Sequence, residues 1–227
     1  MQRFYRKHGP TGYILKCDIK NYFGSTPHKV AIEAVNKLID DEWAAGEVAR
    51  IINSFTQGDD PEVGLGLGSQ VTQLIELTVL NDLDHIIKEQ LKIKYYVRYM
   101  DDFILVHESK EHLQHCKAVI IEELRKLGLE CSEKKTMICK VKQPLHFLGF
   151  SYRLTESGKV VMKVLPKKIT RERRRLRKQV ALCKAGKMTR RQVDDCFQSW
   201  VAHADKGDSY KLIQTMTEYY NKLWEEL

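Results

Sequence analysis

Apolar and polar positions along the 227-residue chain change period several times, and each change marks an element. Gly12-Tyr-Ile-Leu-Lys-Cys-Asp18 is apolar and partly alternating, which predicts a strand ending at an acid. Asn21 to Pro27 is rich in turn residues. Helical periodicity follows over His28 to Leu38 and Glu42 to Ile52, and Thr56 to Gly68, with Pro61 and four Gly, predicts a loop. Ser69 is placed to cap a long helix reaching about Leu91. Lys94 to Tyr99 and Phe103 to Val106 are β-rich runs on either side of Met100-Asp101-Asp102, a pattern that predicts a hairpin with acids at its tip. Lys110 to Leu127 returns to helix and stops at Gly128. Short strands are expected around Thr136 to Lys140 and His146 to Tyr152, and a hairpin arm at Lys159 to Leu165. From Lys167 onward the pattern predicts three helices broken at Gly186 and Gly207. The order is α+β over residues 1–152, a linker or hairpin over 153–166, and an all-helical segment over 167–227.

Composition narrows the class. Forty-three per cent of residues are apolar, 30% are charged, and Gly and Pro are few, so the chain folds around a core. The longest stretch without a charge, Val63 to Ile75, is 13 residues and polar in part, against the roughly 20 apolar residues of a membrane span. No membrane partner is expected. Met1-Gln-Arg-Phe-Tyr-Arg-Lys has no apolar h-region of a secretory signal, and the six Cys (17, 116, 131, 139, 183, 196) form no Cys-x-x-Cys, so reduced thiols in the cytoplasm are expected and a zinc site is not.

The net charge of +8 is unevenly spread. Residues 1–152 carry 20 Lys and Arg against 21 Asp and Glu, whereas residues 153–227 carry 18 against 9. Lys167, Lys168, Arg171, Arg173, Arg174, Arg175, Arg177 and Lys178 fall on one predicted helix with a single acid among them, the footprint of phosphate-backbone binding. The competing reading is a solvated helix face.

Of the four Asp-Asp pairs, 40–41, 59–60 and 194–195 sit in polar surroundings. Asp101-Asp102 sits between two apolar β runs, where unpaired carboxylates cost several kcal/mol unless something compensates. Asp18 also ends an apolar strand. Two strand-borne acidic positions facing each other across a sheet suit hard cations such as Mg²⁺.

At this point the residues resemble a known family. Asp18-Ile-Lys-Asn-Tyr-Phe23, Gly64-Leu-Gly-Leu-Gly-Ser-Gln70, Tyr99-Met-Asp-Asp102, Leu127-Gly-Leu-Glu-Cys-Ser-Glu-Lys-Lys135 and His146-Phe-Leu-Gly-Phe150 resemble, in order, motifs A, B, C, D and E of reverse transcriptases. The wording is nearer to bacterial retroelement enzymes (diversity-generating retroelements, retrons, group II introns) than to retroviral ones, with Met100 where many of those carry Ala. The resemblance implies a polymerase palm, an antiparallel sheet packed on helices, followed by a basic helical thumb. A fingers region is expected to be largely absent, because only 17 residues precede Asp18.

The resemblance also implies roles. Asp18, Asp101, Asp102 and the Ile19 carbonyl would hold two Mg²⁺ ions, and Phe23 would be the steric gate against a 2′-hydroxyl. Gly68, Ser69 and Gln70 would contact the template base and incoming nucleotide, and Lys134 and Lys135 the triphosphate. Phe147, Leu148, Gly149 and Phe150 would form the primer grip. Implied partners are an RNA template, a DNA or RNA primer, deoxynucleoside triphosphates, and a fingers-containing segment or accessory protein. A second reading is a nucleic-acid-binding module that keeps the palm without copying. A viral-type RNA polymerase is the third, disfavoured by the ring at position 23.

Overall fold

The structure, a computed structural model, describes residues 1–55, 60–66 and 68–225. Of the loop expected over Thr56 to Gly68, residues 56–59 and 67 therefore lie outside the described residues, and Asp59 of the second acidic pair with them. The contacts divide the chain into two compact units, one of Arg3–Val141 and one from Lys142 onward. The architecture is α+β, as the pattern predicts.

In the first unit, helix α1 (Gln2–His8) precedes β1 (Tyr13–Asp18), and the short α2 (Tyr22–Ser25) leads to α3 (His28–Asn36) and α4 (Glu42–Asn53). Next come α5 (Gln70–Val79), α6 (Asn81–His85) and a π-helical turn (Ile86–Gln90), then β2 (Tyr95–Tyr99), β3 (Asp102–His107), α7 (Lys110–Lys126) and β4 (Met137–Lys140). The four strands form an antiparallel sheet in the order β2-β3-β1-β4. Leu15, Cys17, Phe103 and Leu105 are fully buried and share a core with Ile120 and Leu124 of α7 and Ile75 and Val79 of α5. Each such aliphatic or aromatic side chain contributes on the order of 1.5–3 kcal/mol by leaving water. On the other sheet face Ile14, Ile104 and Val106 are also buried, and the Phe4 ring of α1 meets Tyr95 edge-on at 5.4 Å. Gly12 permits this closure: its φ is +150°, and a Cβ there would stand 2.5 Å from the Phe4 ring.

Two expectations are corrected by this unit. The helix predicted from Ser69 to Leu91 is broken, because Leu80 leaves helical geometry (φ −96°, ψ 8°). Just before the break Thr78 Oγ1 donates to the Ile75 carbonyl at 2.7 Å, a side-chain bond of the kind that bends helices. The turn-rich Asn21 to Pro27 contains α2, whose entry uses Asn21 in the left-handed region (φ 48°). α1 has no counterpart among the predicted elements.

The second unit begins with a three-stranded antiparallel sheet, β5 (Leu145–Phe147), β6 (Phe150–Leu154) and β7 (Val160–Val164). The single strand expected at His146 to Tyr152 is two strands, because Leu148 (φ 49°) and Gly149 (φ 86°) turn the chain back between Phe147 and Phe150. Helices α8 (Pro166–Lys184), α9 (Arg190–Ala204) and α10 (Tyr210–Glu225) follow. α8 opens on Pro at its first position, and α9 on a complete Thr189–Gln192 capping box. Phe150 and Val164 of the sheet share one core with Leu176, Val180, Phe197, Trp200 and Tyr220, so residues 142–166 pack with the helices that follow them.

Candidate active site at the ends of three strands

The register of the sheet gathers the acids. β1 pairs with β3 so that Asp18 lies opposite Asp102, and β2 pairs with β3 so that Tyr99 lies opposite Asp102. Met100 and Asp101 are therefore the two-residue connection of the β2–β3 hairpin, with Met100 at φ +54°, an uncommon conformation for a residue with a side chain. The Ile19 amide donates to the Asp101 carbonyl at 3.2 Å, which ties the end of β1 to the hairpin tip.

Charge at this end is partly balanced. Asp18 is only 4% exposed, and Lys135 Nζ lies 2.9 Å from both of its oxygens, with hydrogen-bond geometry to Oδ2. Lys16 Nζ lies 3.3 Å from Asp102 Oδ1. Burial, and then the charges of Asp102 and Asp18, push the Asp101 carboxyl above the ordinary range. The hydrogen bond to Asp18 raises the Lys135 ammonium. Among the described residues no group of three or more His, Cys, Asp or Glu side chains is gathered to hold a metal ion. The donor set nevertheless suits a hard divalent ion, because Asp18 Oδ1 and Asp102 Oδ1 are buried carboxylate oxygens met by ammonium groups but by no hydrogen bond of good geometry.

Two further segments border the acids. Phe23 sits in α2, half-buried against the core, and its carbonyl accepts from the Leu65 amide at 2.7 Å. Thr26 O accepts from Gly64 N at 2.9 Å, and the His28 ring contacts Gly64 O at 2.9 Å. The glycine loop is thus bonded along the segment that carries Phe23. Gly68 (φ +95°) and Ser69 lead into α5, whose first residue Gln70 is exposed, and Ser69 makes no side-chain cap. The segment carrying Lys134 and Lys135 is held by Ser132 N to Asp18 O and Lys20 N to Glu130 O, both 2.8 Å, while both lysines are exposed. In the second unit Phe147 and Phe150 are buried and Leu148 and Gly149 form the turn between them. The eight cations singled out over Lys167 to Lys178 in α8 are all exposed.

Several residues around the site were not singled out from sequence. Lys16 is two positions before Asp18 and so on the same face of β1, which alternation alone would have flagged. Tyr22 OH donates to the Glu76 carbonyl at 2.7 Å, and Thr26 Oγ1 contacts Glu76 Oε2 at 3.3 Å. Glu76 is fully buried, and burial pushes its carboxyl up to about 7. Arg98 and Asp84 pair beside the hairpin. No local pattern marks these last contacts, which join segments distant in sequence.

Comparison with known proteins bears on this geometry. The family model for reverse transcriptase (RNA-dependent DNA polymerase) matches residues 2–152. The group II intron-encoded protein LtrA of Lactococcus lactis subsp. cremoris is 44% identical over 75 residues, a match covering 30% of this chain and 12% of that protein. The chain thus matches only a small part of that relative's length. The apo telomerase of Candida tropicalis truncated from its C-terminal domain has a TM-score of 0.52 at 16% identity, covering 69% of this chain and 37% of that one. The telomerase of Candida albicans in complex with a TWJ fragment of telomeric RNA has a TM-score of 0.52 at 15% identity, covering 99% of this chain and 46% of that one. At such identities the likeness is one of fold, and the fold is that of these polymerases.

Proposed function

Since the chain belongs to the reverse transcriptase family, we propose that it serves RNA-directed DNA synthesis, adding deoxynucleotides to a primer 3′-hydroxyl on an RNA template. The observation that carries the reading is the strand register that brings Asp18 opposite Asp102 with Asp101 at the adjoining tip. In this reading Asp18, Asp101, Asp102 and the Ile19 carbonyl hold two Mg²⁺ ions. When bound, the ions would make the 3′-hydroxyl a better nucleophile and neutralise the leaving pyrophosphate.

The chain's own groups do the rest. Lys135 is an exposed ammonium against Asp18 and Lys134 is its exposed neighbour in the chain; in this reading both receive the triphosphate, and Lys135 gives a proton to the departing pyrophosphate. Phe23 stands as the ring that excludes a 2′-hydroxyl, and its backbone bond to Leu65 couples it to the loop ahead of Gly68, Ser69 and Gln70, which meet the template base and the nucleotide. Phe147, Leu148, Gly149 and Phe150 present a tight turn to the primer strand, and the cations of α8 hold the duplex through its phosphates.

A second reading, a module that binds nucleic acid without copying it, draws on Lys135 and Lys16, which already give Asp18 and Asp102 counter-ions. Primer extension on an RNA template with Mg²⁺, beside an Asp101→Asn control, separates the two. Template-dependent extension that the control lacks supports the polymerase, and salt-dependent binding with no extension supports the module.

A further inference from the structure

The last turn of α5 leaves carbonyls with no partner inside the helix, and two of them are claimed by residues from the two acid-bearing segments. Tyr22, four residues after Asp18, donates its hydroxyl to the Glu76 carbonyl at 2.7 Å. Arg98, three residues before Asp101, donates Nη2 to the next carbonyl, Leu77, at 3.2 Å.

The same guanidinium reaches the hairpin tip, with Nη1 donating to the Met100 carbonyl at 3.4 Å. Its remaining donors go to Asp84 of α6, Nε lying 2.9 Å and 3.1 Å from the two carboxylate oxygens while Nη2 bonds Oδ2. Tyr96 OH bonds the same carboxylate. The Arg98 side chain is only 10% exposed, and this planar fork is held through Nε, Nη1 and Nη2 together. A lysine would supply a point charge there and lose the simultaneous reach to Asp84, Leu77 and Met100.

We propose that Tyr22 and Arg98 are positioning residues that use the C-terminal turn of α5 as a common anchor, setting where the Asp101 tip stands relative to the Asp18 strand end. The proposal rests on the polymerase reading for its catalytic consequence, but the anchoring itself does not. Neither residue touches the acids. Their effect passes through backbone: Arg98 through the Met100 carbonyl, and Tyr22 through the short helix that it opens, four positions after Asp18. Positioning to a fraction of an ångström is most of what a protein supplies to phosphoryl transfer, so a loosened tip acts on turnover rather than on nucleic-acid affinity.

The test uses Arg98→Lys and Tyr22→Phe, with Lys37→Ala as a control that removes the exposed Lys37–Asp82 pair at α6 and nothing of the anchor. Amide exchange at residues 99–102 is expected to rise about tenfold in Arg98→Lys while exchange across α7 stays as in the parent. The turnover of nucleotide addition is expected to fall about tenfold in both variants, with the Kd for primer-template within about twofold and the control unchanged. Exchange that rises equally in α7, or a tip that does not loosen, overturns the anchor. An unchanged turnover with a loosened tip overturns its catalytic role. If the parent chain extends no primer even when a fingers-containing segment is supplied, the polymerase reading fails, and exchange at the tip still decides the anchor.

Discussion

Lys135 Nζ stands 2.9 Å from both oxygens of the nearly buried Asp18 carboxylate. The ammonium comes from a segment whose own backbone is bonded to Asp18 through Ser132. Without ions, Lys135 is thus the charge partner that makes a strand-end carboxylate compatible with burial, and it is the same group proposed to meet the triphosphate.

Replacing Lys135 by Met should therefore destabilise the metal-free protein. A buried pair broken on one side costs about 3–5 kcal/mol, and because Lys135 is 61% exposed, solvent reduces this to about 1–2 kcal/mol. The ammonium is raised in the folded state, so its contribution is complete below the ordinary lysine value and is lost as pH rises through the folded one. Urea unfolding in chelator at neutral pH should separate parent and variant, and the gap should close in strong alkali. Equal midpoints at neutral pH would show the pair to be energetically idle.

Glu76 gives a pH dependence of the opposite practical importance, near neutrality. Its carboxyl moves from the ordinary 4.5 to about 7 on folding, chiefly through burial, with the Asp101 charge adding to the effect and Tyr22 and Thr26 opposing it. The folded state then holds a proton that the unfolded chain has released, so stability falls as pH rises from about 4.5 to 7, by about 3 kcal/mol in total. Glu76→Gln should flatten this fall and raise the melting temperature at pH 8. A melting profile with the same slope in both proteins would contradict the assignment.

For Asp18→Asn and Asp101→Asn, nucleotide incorporation should disappear while the fold remains, since a neutral amide cannot balance divalent charge. Asp101 is crowded by Asp102 and Asp18, so its neutralisation should leave stability equal or higher by up to about 1 kcal/mol. Incorporation retained by either variant rules out the proposed metal set.

Much of this site could be read along the chain because its acids lie at ends of short, strongly patterned strands. Gly12 to Asp18 and Lys94 to Val106 declare their strands by alternation and β-branching, and the register then follows from which face is buried. What could not be read depends on contacts across long separations. Leu80 breaks α5 from α6 inside a stretch that reads as one helix, and the carbonyls freed near that corner are taken by Arg98 and Tyr22 from distant segments. Leu148-Gly149 turns the chain where apolar alternation reads straight on, and only the left-handed φ of both residues shows it. The Lys135–Asp18 pair spans more than half the chain and has no local signature.

Phe23→Val should shift selection toward ribonucleotides, because removing the ring opens space for a 2′-hydroxyl without disturbing the acids. Discrimination lost in a pocket of this kind is at least the 1–3 kcal/mol of about one methylene, or roughly 10–200-fold. The Phe23 carbonyl bond to Leu65 is backbone and survives the change, so the glycine loop should keep its place. Parallel loss of ribonucleotide and deoxyribonucleotide efficiency would instead mark Phe23 as core.

The basic helix is best tested on the stripe that has no structural duty. In α8, Arg175 bonds Glu172 at 2.8 Å and the Cys196 carbonyl at 3.2 Å, and Arg173 lies 5.4 Å over the Tyr219 ring, so replacing either also disturbs packing. Lys167, Arg171, Arg174 and Lys178 recur at helical spacing along one line of exposed positions. Neutralising Arg171, Arg174 and Lys178 together should weaken binding to duplexes of any sequence alike, because phosphate contacts carry no base information. If all three meet phosphates, the slope of log Kobs against log salt falls by about 0.9 for each on B-form duplex, and an RNA–DNA hybrid should behave similarly. Thermal unfolding of the triple variant should change little, since exposed charges contribute little to stability even where, as with Arg171, one faces the buried Glu172. A slope equal to that of the parent chain would return α8 to a solvated face and move the search for the duplex contact elsewhere in the molecule.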